Sequence, residues 1–204
     1  MYGKEKLGPD KSWCGPRKPA GERLRDVAAG LFYQRGIRAV GVDEIVHETG
    51  VTKPTLYRAF ASKDDLVAAC LQVQLDEAKD RLRDIAADLP GDPLGQIRAI
   101  VQALADDMAT PDYRGCAVTN AAVEFPDPGH PVRIVVEGCK DMFRSRLTDL
   151  AREMGVPDPE QLGDGLSLLL AGASMSRHTS GSQGPSAALM RSAEALIQGA
   201  LRTA

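Results

Sequence analysis

Residues 52–58 read Thr-Lys-Pro-Thr-Leu-Tyr-Arg. On a helix, Leu56 points inward together with the flanking Val51 and Phe60. Thr52, Lys53, Pro54, Thr55, Tyr57 and Arg58 are left near or on the outward face. Hydroxyls and cations in that pattern meet phosphates and base edges, and a helix N-terminus adds its own N–H groups. Elsewhere the reactive side chains are dispersed. Cys14, Cys70, Cys116 and Cys139 form no CxxC pair, and with three histidines they show no metal-ligand spacing. No metal and no cofactor is expected, and in a reducing compartment these are free thiols. There is no Gly-rich phosphate loop, nucleophile elbow or HExxH. A helical enzyme without a recognisable motif is the rival class, and no convergent site can be located for it. A purely structural helical adaptor would not need the outward series on residues 52–58.

A second set of polar residues follows Arg114. Cys116 lies near a cation that lends a thiol thiolate character, as in sensors of electrophiles or oxidants. It reads at least as well as a small buried apolar residue. Asn120 and Glu124, about a turn apart on the same helix, either orient a ligand or hold that helix against its neighbours. Met142, Phe143 and Met175 are candidates for the apolar wall of such a pocket. His178, at the end of its helix, suits the dipole there and is a further candidate.

The elements that position these residues are helical. Hydrophobic residues make up 43% of the 204 and aromatics only 4%, so the core is built from Leu, Ala, Val and Ile, which favours helices over sheets. Nine helices are expected and no strand, an all-α fold. They cover 21–35, 42–49, 53–59, 63–88, 94–109, 116–124, about 131–154, 160–177 and 186–202. Gly36 and Gly50 supply stops, Thr52 and Ser62 supply N-caps, and Pro54 fits the first turn of its helix. Asp64 and Asp65 suit the positive end of the fourth helix. A Ser-Gly-Ser-Gln-Gly stretch at 180–184 reads as a flexible connection. Residues 1–19 read as a flexible tail with no apolar run that could serve as a signal peptide, and no stretch nears the roughly 18 apolar residues of a membrane span. A cytoplasmic location is expected, with no membrane partner.

Charge is distributed unevenly. Residues 1–60 hold eleven Lys/Arg against seven Asp/Glu, while the remainder hold fourteen against twenty-one. A basic head on an acidic body approaches a polyanion head first. A short apolar helix, a Gly turn and a second short helix describe a helix-turn-helix, which needs the first and fourth helices to cover its apolar faces.

Residues 36–66, GIRAVGVDEIVHETGVTKPTLYRAFASKDDL, resemble the DNA-binding segment of the TetR/AcrR family of regulators. The agreement includes Gly36, Val42, Ile45, Gly50, Val51, Lys53, Thr55, Leu56, Tyr57, Phe60, Ser62, Lys63 and Leu66, at family spacing without gaps. Residues 114–124 also look like a stretch found in one subset of the family. The resemblance implies a DNA-binding head over residues 20–62 and a ligand-binding and dimerisation body over residues 63–204. It implies double-stranded operator DNA as partner, with Thr52, Lys53, Thr55, Tyr57 and Lys63 at the DNA, and a repressor released by a small-molecule effector. It also implies a homodimer in which the last two helices pair with their copies. Gly172, Ala173, Ser176, Ala193 and Ala200 are small enough for close approach, beside Leu169, Leu196 and Ile197, although the residues alone allow packing within one chain equally well. Two departures stand out. Val40 and Gly41 occupy positions where the family usually has Thr or Ser, and Ala59 stands where His or Tyr is common. Finally, a fourth helix of about 26 residues spans roughly 39 Å. A ligand wedged among helices four to seven is expected to tilt it and respace the recognition helices.

Overall fold

A computed structural model describes residues 18–181 and 184–202. Most of the tail, with Cys14, and residues 182–183 of the Ser-Gly-Ser-Gln-Gly connection lie outside the described residues, as does the side chain of His178. The described residues form nine α-helices and no strand: α1 Ala20–Arg35, α2 Val42–Thr49, α3 Lys53–Ala59, α4 Lys63–Asp88, α5 Pro93–Ala109, α6 Ala117–Glu124, α7 Pro131–Glu153, α8 Pro159–Ser180 and α9 Leu189–Arg202. None is long and apolar enough to cross a membrane, and no group of His, Cys, Asp or Glu among the described residues could hold a metal ion.

Helix starts are set by side-chain caps and by proline. Thr52, Ser62, Asp92, His130 and Asp158 each accept a hydrogen bond from a backbone N–H in the first turn. Pro93 and Pro159 lie inside α5 and α8, one residue before the starts read from the apolar pattern. Proline fits a first turn because its missing N–H has no partner to lose. Cys116 is the N-cap of α6 rather than its first residue. The last helix begins later than expected, at Leu189, after a 3-10 turn over Pro185–Ala188, a common way to enter an α-helix. At α4 the cap is reciprocal. Asp65 N donates to Ser62 Oγ at 3.0 Å, and Ser62 Oγ donates to Asp65 Oδ2 at 2.8 Å. Ser62→Ala is expected to cost about 1 kcal/mol, read as a lower urea midpoint at unchanged slope.

The buried side chains form two cores. The first joins Leu24, Ala28 and Phe32 of α1, Ile45 of α2 and Leu56 of α3 to Leu66, Val67 and Leu71 of α4, Val118 and Ala121 of α6, and Val132 and Val136 of α7. It runs without a break across residue 62. The second joins α5, the later half of α7, α8 and α9 around Ile97, Leu147, Leu166 and Ile197. The broadest helix contact is α7 on α8. There a Cβ at Gly163 would come within 2.2 Å of Thr148 Oγ1, so only glycine lets the two axes approach this closely.

Candidate nucleic-acid interface

α2 and α3 meet through Gly50, left-handed at φ 66° and ψ 20°. Ile45 and Leu56 are fully buried, and Val51 and Phe60 pack against the same core. That packing turns Thr52, Lys53, Pro54, Tyr57 and Arg58 outward, with Tyr57 50% exposed and Thr55 half-buried. Thr52 Oγ1 receives Thr55 N at 3.4 Å and shares a hydrogen bond with Thr55 Oγ1 at 3.0 Å. Lys53 Nζ lies 2.6 Å from Asp43 Oδ1, and that bond holds the Lys53 ammonium above its usual pKa. The ammonium of Lys63, also expected at a phosphate, donates to Ile37 O at 2.6 Å in the chain by itself and sits 5.9 Å from the Phe32 ring centre. Gly41 gives α2 no side-chain cap, Val40 is fully buried, and Ala59 is exposed.

Behind this surface the α1–α2 turn is tied to the body. Gly36 ends α1 at φ 90° and ψ 148°, a positive φ that L side chains rarely adopt, and swings the next two amides toward the C-terminal end of α6. Ile37 N donates to Glu124 Oε1 at 2.9 Å and Arg38 N to Glu124 Oε2 at 2.7 Å. Arg38 Nη2 donates to the Glu124 carbonyl at 2.7 Å. Tyr33 Oη accepts from Arg114 N at 2.7 Å and donates to Gly115 O at 3.0 Å. His130 Nε2 faces Asp64 Oδ2 at 3.1 Å while its Nδ1 accepts from Val132 N, and its ring stacks on Phe125. With Nδ1 accepting, a neutral ring carries its proton on Nε2 and donates to Asp64.

The sequence allows Glu124 as a brace for α6 but names neither its partners nor the other ties. One signal was present. An acid in the last turn of a helix opposes the helix dipole, so Glu124 at the end of α6 needed a donor partner.

Between α1, α4 and α6 lies a cavity of about 250 Å³ whose lining includes Asn120 and Glu124. Cys116, Met142, Phe143 and Met175, also expected around an effector, do not line it. Asn120 Nδ2 donates to Arg114 O at 2.8 Å. Cys116 and Phe143 pack against the first core, and Met142 lies along an open groove with Leu82 and Arg146. Met175 is on the surface, 39% exposed. Burial pushes the Cys70 thiol up to about 12 and the Cys139 thiol to about 11, which leaves little thiolate on either.

The residues read as a pairing surface also divide. Ala173, Ala193 and Ile197 are buried in the second core, and Leu169 and Ala200 pack against it. Ser176 is half-buried. Those three small or branched side chains therefore serve the chain's own packing. The outward positions of the same helices are Gly172 and Leu196, accompanied by Leu168, Met175 and Leu201.

A helix-turn-helix whose second helix presents polar side chains outward, braced on a helical body, defines the class of helical DNA-binding regulators. The family model described as bacterial regulatory proteins, tetR family, matches residues 24–70. SCO4454, a TetR-family transcriptional regulator from Streptomyces coelicolor, is 32% identical, with 89% of this chain and 95% of that one covered and a TM-score of 0.84. This chain belongs to the TetR family of transcriptional regulators. It is 35% identical over 132 residues to the HTH-type transcriptional activator FasR of Mycolicibacterium smegmatis, covering 62% of this chain and 59% of FasR. It is 36% identical over 80 residues to the HTH-type transcriptional repressor KstR2 of Mycobacterium tuberculosis, covering 39% and 40%. The chain thus matches less than two thirds of the length of either curated relative.

Proposed function

We propose that this chain is a sequence-specific DNA-binding regulator without catalytic activity. In this reading it acts in the cytoplasm as a homodimer that represses by occluding its operator until a small-molecule effector binds. The observation that carries the reading is the outward face of α3, where Thr52, Lys53, Pro54, Tyr57 and Arg58 are exposed while Leu56 anchors the helix. Likeness to KstR2 supports the repressing sign, against FasR, which is named an activator. A two-fold dimer presents two such helices to successive major-groove faces, so its site is a pseudo-palindrome. Footprinting on the DNA flanking its own gene tests this. Two related half-sites protected together support the reading, and a single asymmetric half-site bound by a monomer overturns it.

The lysines give a second test. Lys53 leaves only an exposed ion pair when it meets a phosphate, so Lys53→Ala is expected to flatten the salt dependence by about one unit per subunit. Lys63 must surrender its bond to Ile37 O, so Lys63→Ala should flatten it less. Equal slopes for Lys53→Ala and the parent chain would remove Lys53 from the phosphate contacts.

A further inference from the structure

The cavity between α1, α4 and α6 has a floor of Phe32, Ile37, Val67 and Leu71, and its polar lining includes Gln74 and Arg114. Two guanidiniums, of Arg35 and Arg114, line it against one carboxylate, Glu124. That carboxylate is spent on Ile37 N and Arg38 N, and Arg35 is paired with Glu44 of α2. Among the described residues, neither the Gln74 carboxamide nor the Arg114 guanidinium has a hydrogen-bond or ion-pair partner. An apolar floor below an unspent cation and an unspent amide suits a molecule with one anionic end and a short apolar body.

We propose that this cavity is a binding site for a small organic carboxylate, its acid group on Arg114 and Gln74 and its apolar part on Phe32, Val67 and Leu71. The site lies directly beneath the α1–α2 turn, among the same bonds that join Glu124 and Tyr33 across it. Occupancy therefore acts on the head from below the turn, without passing along α4. That consequence for DNA rests on the regulator reading above; the binding itself does not.

The test uses the full chain without DNA, with hexanoate, octanoate and benzoate as probes and the matching primary amides as controls. Methyl NMR is expected to show saturable shifts at Ile37, Val67 and Leu71, with Ile97, Leu166 and Ile197 of the second core unmoved. The amides should bind about tenfold more weakly, the value of one charge-assisted hydrogen bond. Gln74→Glu places a like charge beside the acid group and should weaken the acids while sparing the amides. Arg114→Gln, at an exposed position, should abolish the preference for acid over amide. Shifts confined to the second core, equal affinity for acids and amides, or no saturation by any probe would each overturn the site. Binding as expected in a protein that fails to footprint would leave this site standing and remove the regulator reading instead.

Discussion

Leu66→Ala is expected to lower the unfolding free energy by about 2–5 kcal/mol, the usual cost of truncating a fully enclosed leucine. Leu66 has no exposed surface. It lies in the first turn of α4, immediately after the Ser62 cap, and belongs to the core that holds Leu24, Ile45 and Leu56 together with Val118 and Val132. That core spans both the helix-turn-helix and the body. The cap and the buried Val67 beside it fix the backbone, so neighbours cannot collapse fully into the space left by the lost methyl groups. Against a total stability of about 5–15 kcal/mol, this loss is large. Urea unfolding should show a lower midpoint at unchanged slope. A shift worth less than about 1 kcal/mol would mean that the site closes up and that Leu66 is not the joint it is taken to be here.

Leu168→Arg should leave the fold intact and separate the two subunits of the proposed dimer. Leu168 is 75% exposed, and one heptad later Met175 is 39% exposed; α9 adds Leu196 at 40% and Leu201 at 36%. These large apolar side chains lie on two neighbouring helices, the kind of surface that a partner covers. A guanidinium set into each half of a two-fold contact meets its own copy and must also be desolvated. Sedimentation is expected to report a monomer with unchanged helicity. Operator affinity should fall by about a hundredfold or more, because the second half-site no longer benefits from tethering to the first. A variant that sediments as a dimer would move the interface off this face.

The parts of the molecule that were legible in the sequence are those with local causes. Helical spacing, Thr52 and Ser62 as caps, and Gly50 as a stop each act within a few residues, and all appear where expected. The inward set Ile45 and Leu56 followed from period alone. Two kinds of feature did not. The ties beneath the head join groups far apart in the chain, Glu124 to Ile37 across 87 positions, and no periodic pattern records such a meeting. Glu124 reads equally as a ligand group or as a brace for its helix, and its partners stay unnamed because they are backbone amides, which every residue carries. Lys63 likewise spends its charge on a carbonyl, a partner invisible to charge counting. The second kind is a choice between two apolar faces. α8 carries Leu, Ala and Gly on more than one face, and small size singled out Ala173 there and Ala193 on α9, both of which face inward, while the larger Leu168 and Met175 remain outside.

The first core passes from α1 to α7 without interruption at residue 62, and this bears on how such a regulator changes its target. A head cut out at that point would leave Leu24, Ile45 and Leu56 without the α6 and α7 side chains that cover them. A graft of the head onto a different helical body would have to bring Val118, Ala121, Phe125 and Val132 with it. Recombination between regulators is thus a poor route to new operators for this chain. In the proposed reading, point changes at Thr52, Lys53, Tyr57 and Arg58, which the core does not use, carry no such debt, so its target can drift by single substitutions while head and body are inherited as one piece.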